Sequence, residues 1–400
     1  MSGTRRKPGA MARHIDGFGA QLMELGYTPD TIRNMLKYVG QLGRWMESQE
    51  LQALQLNKNS IETFICARRA DGHRRVPSAR SFKPLLDYLS SQGALRLPET
   101  APSTPVDLLI SHYKTWLVAD RGLAAATVLR YENLARRFLK GQQATVGDRF
   151  IDDLKGSDVV GFLVRECTRV SVGSAKGRVA ELRSLLRFLY LKGLTPLALA
   201  TAVPPVAGWH DTRVPSGIAP GDVQRLLDGC DRSSAVGLRD FAILMLVARL
   251  GLRSAEVARL ELNDIDWRAG EIVVRGKARR QDRLPLPMDV GEALSSYLCE
   301  RRRVTPIRQV FLAHKAPTRA IRPDLVSDVT RRACERAGVP RVGAHRLRHA
   351  LAAELLRRGA TLVEVSQVLR HRDLATTAIY AKVDLSSLRA VAQPWPGSAQ

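Results

Sequence analysis

The sequence predicts a mainly α-helical protein in which two tandem four-helix domains precede a mixed α/β domain with a small β-hairpin. Three observations predict this fold class. Apolar residues recur at helical spacing along most of the chain, one helical pattern occurs twice, and a single stretch alternates apolar and polar residues around a turn. The 400 residues suffice for two or three domains that each bury a core, and the predicted boundaries are 1–97, 98–205 and 206–400.

The first domain is predicted to contain four short helices. Ordered structure is expected to begin near His14, after a basic tail, and the apolar residues from Phe18 to Leu89 keep the three- and four-residue spacing of helices. The stretch from Leu97 to Asp107 contains three prolines, which a helix interior does not tolerate. This stretch is therefore predicted to be a linker.

The second domain repeats the pattern of the first. Gly26 pairs with Gly122 at an offset of 96, and Gly93 pairs with Gly193 at an offset of 100. Between them, NSIETFI matches SDVVGFL at an offset of 98. The offset between matching residues increases slowly from 96 to 100, as small loop insertions would cause. The two domains are therefore predicted to be copies of one four-helix module.

The third domain follows a second proline-rich linker, predicted from Pro196 to Gly217. Helices are predicted in GIAPGDVQRLLDGC, in the strongly apolar GLRDFAILMLVARLGL and in VSDVTRRACERAGVP. Between the second and third of these, EIVVRGKARRQDRLPL has the alternation of a β-hairpin with a basic tip. An ordinary edge hairpin would show the same pattern.

The charge balance indicates a polyanionic partner. Lysine and arginine number 62 against 39 acidic residues, a net charge of +23 that is carried mostly by arginine, which binds phosphate through two hydrogen bonds. DNA or RNA is the first expectation, and a membrane surface is the competing one. The chain contains no apolar run of membrane-spanning length, so a cytoplasmic protein is expected. Five widely spaced cysteines form no CxxC pair, which predicts reduced thiols and no metal site.

The stretch from Ala344 to Tyr380 contains most of the candidate chemistry. His345 and Arg348 are three residues apart in a predicted helix, so their side chains share one face. A glycine ends that helix, and Thr361 with Glu364 forms a capping box that opens the next one.

His371 follows in a polar turn, and Tyr380 is predicted on a last helix nine residues further on. Taken singly, each residue has an ordinary explanation. A tyrosine on such a helix is usually a packing residue, and an HxxR pair on a basic helix is usually a phosphate-contacting surface.

The set as a whole resembles a known family. In type, order and spacing, six residues resemble the catalytic set of the tyrosine recombinase (phage integrase) family: Arg253, Lys277, His345, Arg348, His371 and Tyr380. The resemblance spans about residues 218–382 and, more weakly, the helical domain before them. It implies that the second module is the SAM-like core-binding domain, which grips DNA opposite the catalytic domain. The first module is then an additional SAM-like domain for extra DNA binding or for contacts between protomers.

The resemblance implies roles for the nucleophile and the proton carriers. Tyr380 is the implied nucleophile, which forms a 3′-phosphotyrosyl bond with DNA. His345 is the implied general base for the tyrosine proton, and Lys277 supplies a proton to the departing 5′ oxygen. Ala278 replaces the glycine that usually follows this lysine.

The remaining residues of the set are expected to bind the phosphate. Arg253 and Arg348 clamp the nonbridging oxygens, and His371 donates a hydrogen bond to one of them. Glu256, one turn after Arg253, is expected to hold that arginine in place. Arg370 stands where the family usually has glycine, and it and Arg249 are expected to add positive charge near the phosphate.

Further basic residues are candidates for contact with the DNA backbone. They lie on a predicted helix of the second module and beside the hairpin lysine, and they are Lys176, Arg178, Arg183, Arg187, Arg279 and Arg280. For the helix, a solvated basic face is an equally good explanation.

The predicted function is site-specific recombination of double-stranded DNA by a homotetramer, without metal, cofactor or ATP. A mobile element is the expected context, for integration, excision or transposition, in a bacterial-type cytoplasm at the nucleoid. The amphipathic tail after Tyr380 is expected to dock in trans on a neighbouring protomer. Two alternatives stay open: a type IB topoisomerase, and a catalytically idle DNA-binding or architectural protein of the same fold.

Overall fold

The computed structural model describes residues 9–95, 104–147, 150–206, 218–276 and 280–371, together with Thr377. The chain divides into two compact units, one formed by residues 1–94 with 211–400 and the other by residues 95–210. Helices dominate both units, as the sequence predicts. Among the described residues, no helix is long and apolar enough to span a membrane.

The N-terminal module contains the four predicted helices, and a short 3-10 turn, Gly9–His14, precedes them. They are α1 (Ile15–Glu24), α2 (Pro29–Ser48), α3 (Lys58–Ala70) and α4 (Lys83–Ser91). The expected start near His14 was too late, because Met11 in the preceding turn is fully buried and that turn packs on α2. Met11 stands between two alanines in a short segment without a helical apolar pattern, so nothing in the sequence indicated this buried contact.

The N-terminal module contacts the α/β domain of the same unit through the turn after α1. Thr318 donates its backbone N–H to the Leu25 carbonyl at 2.7 Å, and the Arg303 Nη1 donates to the Gly26 carbonyl at 3.2 Å. Gly26 has a φ of +77°, and a Cβ there would lie 2.5 Å from both Arg303 Nη1 and Thr318 Oγ1. Only glycine satisfies this backbone and this close approach.

The second unit repeats the helices of the N-terminal module at the offsets seen in the sequence. It contains α5 (Pro105–Ala119), α6 (Ala125–Val146), α7 (Gly156–Cys167) and α8 (Val172–Leu191). The start of α2 corresponds to the start of α6 at an offset of 125 − 29 = 96, and the end of α4 corresponds to the end of α8 at 191 − 91 = 100. The tandem repeat is therefore present in the helices as well as in the residues.

Both predicted linkers are shorter than expected. Pro105 occupies the first turn of α5 behind the N-cap residue Thr104, a place where proline is favourable. At the other end, a 3-10 turn follows α8, and Leu199 and Val203 are buried in the core of the second unit. Proline content alone does not distinguish a free linker from a segment that packs without a regular helix.

The α/β domain surrounds a buried helix and carries one small sheet. Its elements are α9 (Pro220–Asp228), α10 (Ala235–Leu250), α11 (Ser254–Arg259), β1 (Ile265–Asp266), β2 (Glu271–Arg275), β3 (Gln281–Pro285), α12 (Met288–Ser296), α13 (Pro323–Ala337), α14 (Ala344–Arg357) and α15 (Leu362–Leu369). The sheet is antiparallel with the order β1-β2-β3, and β2 pairs with β3 from Glu271 opposite Pro285 to Arg275 opposite Gln281. The predicted hairpin is confirmed.

Two elements of this domain were not predicted. The strand β1 has only two residues, too few for a period to show. The helix α12 begins after the prolines of LPLP and continues into a π-helical turn, Tyr297–Arg301. The helix α10 was predicted from its apolar sequence, and its residues from Ala242 to Ala248 are all buried.

Candidate active site

A buried arginine on α14 bridges the C-terminal ends of α10 and α15. Arg348 lies on α14 with only 1% of its surface exposed, and its two terminal nitrogens donate to the carbonyls of Gly251 and Leu369. Gly251 caps α10 in the left-handed conformation, and a Cβ there would lie 2.9 Å from a Leu369 methyl carbon. The carbonyls at a helix C-terminus carry partial negative charge, which suits the guanidinium. This contact fixes the ends of α10 and α15 against α14.

A second arginine faces outward beside it. Arg253 is the N-cap residue of α11, and its backbone N–H donates to Glu256 Oε2 at 2.8 Å while its Nη1 donates to Oε1 at 2.7 Å. The Arg253 side chain is 41% exposed, whereas that of Glu256 is 5% exposed. The buried carboxylate therefore binds the Arg253 guanidinium on its protein-facing side, and the solvent-facing side stays accessible to a ligand.

Glu256 keeps its charge although it is buried. Burial alone raises the pKa of this carboxyl, but the hydrogen bond from the Arg253 N–H and the charge of Arg370 outweigh it, so the pKa lies below its ordinary value. Arg370 donates from Nη2 to Glu256 Oε2 at 2.9 Å. One carboxylate thus serves two arginines.

Three histidines lie beside these arginines. His345 and His349 are one turn apart on α14, with ring centroids 4.3 Å apart in an edge-to-face arrangement. His371 follows α15, and its Nδ1 lies 2.7 Å from the Thr377 hydroxyl. His349 was missed as a candidate, although its spacing of four residues from His345 was visible in the sequence.

All three imidazoles are held neutral near pH 7. Burial first, and then the charges of Arg348 and Arg253, lower the pKa of His345 and bring the pKa of His371 to about 4. Burial first, and then the neighbouring His345, bring the pKa of His349 to about 4. A neutral imidazole can accept a proton, as a general base must. Arg348 shares α14 with His345 and donates to the Leu369 carbonyl, and Arg253 donates to the Arg370 carbonyl next to His371, so these residues lie in one cluster.

The depressed histidine pKa values predict acid sensitivity. The unfolded chain protonates His349 and His371 near the ordinary value of 6.5, whereas the folded protein resists protonation until about pH 4. Between these values the unfolded state binds more protons, so the free energy of unfolding should fall as the pH falls, by at most about 1.4 kcal/mol per pH unit for each histidine. Urea unfolding across this range measures the slope. His349→Gln should make the slope shallower, and an unchanged slope in that variant would contradict the assignment.

Several predicted residues lie outside the described part of the chain. They are Lys277, Ala278, Arg279, Tyr380 and the tail after it. The described flanks close the hairpin, because Gly276 donates its N–H to the Arg280 carbonyl at 2.8 Å and the Arg280 side chain pairs with Asp282. The strands β2 and β3 are therefore joined up to the described residues on either side of this stretch, Gly276 and Arg280.

Among the four basic residues expected to contact DNA in the second unit, Arg178 and Arg183 make contacts within the unit. Arg178 pairs with the buried Glu181, and Arg183 donates to the Val203 carbonyl at 2.7 Å. Lys176 is partly buried, and Arg187 is exposed on the same helix. In the α/β domain, Arg249 pairs with Asp289 at 3.1 Å, a surface partner that the sequence did not indicate.

Known proteins resemble this chain over its whole length. Residues 218–386 match the Phage integrase family. The protein "Putative integrase/recombinase y4rA" of Sinorhizobium fredii (strain NBRC 101917 / NGR234) is 37% identical over 402 residues, which cover 99% of this chain and 97% of that protein. The tyrosine recombinase XerD of Mycobacterium tuberculosis (strain ATCC 25618 / H37Rv) is 32% identical over 312 residues, which cover 73% of this chain and 97% of XerD.

A solved structure shares the fold. The XerH site-specific recombinase, crystallised with a palindromic difH substrate in a post-cleavage complex, aligns with a TM-score of 0.56 at 16% identity and covers 97% of this chain and 95% of XerH. At this identity the match establishes the fold alone. Together with the full-length relative, the match to the family and the arginine cluster, it leads to one conclusion. The chain belongs to the phage integrase family of tyrosine recombinases, enzymes that cleave and rejoin DNA.

Proposed function

We propose that this protein is a site-specific recombinase that cleaves and rejoins double-stranded DNA through a 3′-phosphotyrosyl intermediate. The observation that carries the proposal is the cluster at the ends of α10, α14 and α15. There Arg253 and Arg348 lie beside three neutral histidines, and Glu256 holds Arg253 with its guanidinium exposed. Guanidiniums that flank a proton acceptor suit an anion whose charge grows during reaction.

In the proposed cleavage step, the hydroxyl oxygen of Tyr380 attacks the phosphorus of the scissile phosphodiester. The new bond joins that oxygen to phosphorus, and the bond from phosphorus to the 5′ oxygen breaks. His345 takes the phenolic proton, and Lys277 gives a proton to the departing 5′ oxygen. Arg253, Arg348 and His371 bind the nonbridging oxygens, on which charge builds in the pentavalent state.

Rejoining reverses these steps with a different DNA strand. The tyrosyl ester retains the energy of the broken phosphodiester, so the 5′ hydroxyl of a second strand attacks it and releases Tyr380. The proposed cycle uses no metal ion, cofactor or ATP. Exchange between two duplexes cuts four strands, and each chain offers one nucleophile, so the proposed active form on DNA is a tetramer. The tail after Tyr380 docks between neighbouring protomers in this assembly.

The proposed context is a mobile element in a bacterial-type cytoplasm, where the protein acts at the nucleoid on specific recombination sites. The match to y4rA, an integrase/recombinase by name, includes the N-terminal module and covers 97% of that relative. The proposed division of labour assigns the second unit to core DNA binding and the N-terminal module to extra DNA or protomer contacts.

The test is capture of covalent protein–DNA adducts from a library of nicked duplexes with a randomised segment. Adducts that survive SDS identify the site, and mass spectrometry of the trimmed adduct should map the nucleotide to Tyr380. The selected site in two duplexes should then give joined recombinant products. Relaxation of a supercoiled plasmid without such products would favour a type IB topoisomerase, and sequence-selective binding without any adduct would favour an idle DNA-binding protein.

A further inference from the structure

Arg370 occupies a backbone conformation that ordinarily belongs to glycine. It caps α15 with φ 54° and ψ 47°, and among the described residues only Glu50 and Arg370 combine a side chain with a positive φ. The left-handed conformation is unfavourable for a residue with a Cβ. An arginine here therefore needs favourable contacts of its side chain to offset that cost.

Those contacts exist, and they are internal. The Arg370 side chain is only 3% exposed, and besides Glu256 it donates to the carbonyls of Val368 at 3.1 Å and of Leu250 and Gly251 at 3.4 Å. The Arg370 side chain is therefore held inside the protein by its own contacts, whereas the Arg253 side chain is 41% exposed.

Arg370 holds Arg253 in two ways. Its guanidinium binds Glu256 Oε2, which leaves Oε1 directed at Arg253 Nη1. Its backbone carbonyl accepts a second hydrogen bond from Arg253 Nη2 at 3.5 Å. Both terminal nitrogens of Arg253 are thus anchored by groups whose positions depend on Arg370.

Arg370 also sets the charge of the cluster. Arg253, Arg348 and Arg370 contribute three positive charges against the single negative charge of Glu256, and the histidines are neutral, so this part of the site carries 3 − 1 = +2. Without Arg370 the charge would be +1, and Glu256 would be paired with Arg253 alone. A phosphodiester carries one negative charge and its pentavalent state carries two, so the extra positive charge favours the transition state over the bound substrate.

We infer that Arg370 is a positioning residue for strand cleavage, which acts through Glu256 to orient Arg253 and to leave its charge available to the scissile phosphate. The inference rests on the proposed recombinase function. It assigns a function to a residue that, from the sequence, was expected only to add positive charge near the phosphate.

The test compares three substitutions on DNA selected by adduct capture. Arg370→Met removes the charge and keeps much of the volume, Arg370→Gly relieves the backbone, and Arg370→Lys restores a charge. At saturating DNA, the single-turnover rate of adduct formation should fall about 10- to 100-fold in the Met and Gly variants, with partial recovery in the Lys variant. The DNA dissociation constant should stay within about threefold of the wild-type value.

Arg358→Met is the matched control. Arg358 caps the C-terminus of α14 and pairs with Glu354 at 2.7 Å, but its side chain is 75% exposed and lies outside the cluster. This variant should cleave at the wild-type rate. Because a substitution at a buried position can impair folding, thermal unfolding is measured for every variant. If Arg370→Met does not fold, the cleavage rate of Arg370→Gly is the test, because glycine readily adopts the backbone conformation of this position.

A double-mutant cycle shows whether Arg370 acts through Glu256. The Glu256→Gln/Arg370→Met double variant should cleave at nearly the same rate as Glu256→Gln alone. The single substitution already removes the carboxylate through which Arg370 acts on Arg253. In Arg370→Met the loss of a positive neighbour raises the pKa of Glu256, so the acidic side of the pH–rate profile should move to higher pH.

Three results would overturn the assignment: cleavage within about threefold of wild type in both Met and Gly variants, a loss found entirely in DNA affinity, or full additivity with Glu256→Gln. Absence of any adduct with wild-type protein would instead overturn the proposed function itself, and the assignment with it.

Discussion

Tyr380→Phe is expected to bind the selected DNA as tightly as the wild-type protein and to form no covalent adduct with it. The substitution removes one oxygen atom and keeps the aromatic ring. In the proposed mechanism that oxygen is the only protein atom that forms a bond to phosphorus, so its loss stops cleavage completely instead of slowing it. The measurement is SDS-resistant adduct on a nicked duplex, with DNA affinity determined separately by fluorescence anisotropy.

The matched control is Tyr38→Phe, the same chemical change on the half-buried face of α2 in the N-terminal module. It should form adduct at the wild-type rate. An adduct that persists in Tyr380→Phe would mean that another residue is the nucleophile, and peptide mapping of that adduct would identify it. Loss of DNA binding in Tyr380→Phe would instead mean that the phenol has a structural role.

Arg348→Lys should give the second largest effect, and it should act on both cleavage and stability. A lysine keeps the charge, but its compact ammonium cannot bridge the carbonyls of Gly251 and Leu369 as the planar guanidinium does. The rate of cleavage should fall about 10²- to 10³-fold, as when one preorganised donor to a developing oxyanion is removed. The free energy of unfolding should fall by about 1 to 3 kcal/mol, because one buried carbonyl loses its donor.

Single-turnover cleavage at saturating DNA, measured well below the unfolding temperature of both proteins, separates these two effects. Arg357→Lys on the same helix is the control, because Arg357 is 51% exposed and pairs with Glu354 at the surface. Exposed pairs contribute little to stability, so this variant should behave as wild type in both assays. If Arg348→Lys cleaved within about tenfold of wild type, the arginine would be a structural bridge and the phosphate clamp would have to be reassigned.

The helical repeat could be predicted because it depends on local rules. The spacing of apolar residues and the capping pair Thr361 and Glu364 each act over a few residues, and the structure contains that capping box. The start near His14 and the two linkers were predicted less well. Met11 and Val203 are buried against helices elsewhere in their units, so the residues next to them in the sequence do not reveal their burial.

The candidate site shows the same division. Order and spacing made Arg253, His345 and Arg348 catalytic candidates, because the family resemblance is a property of the linear pattern. Arg370 illustrates the limit. From the sequence it was an additional positive charge near the phosphate, whereas in the structure it is a buried partner of Glu256.

By itself, the sequence determined the helical repeat, the hairpin and the set of candidate catalytic residues, because helical periodicity, capping and motif spacing are written within short stretches of chain. Only the tertiary structure decided which charges are buried and which face outward. Arg253 and Arg370 are both cations beside the same carboxylate, yet one is accessible and the other enclosed. The physical reason is that burial and ion pairing depend on segments more than a hundred residues apart, where α10, α11 and α15 meet.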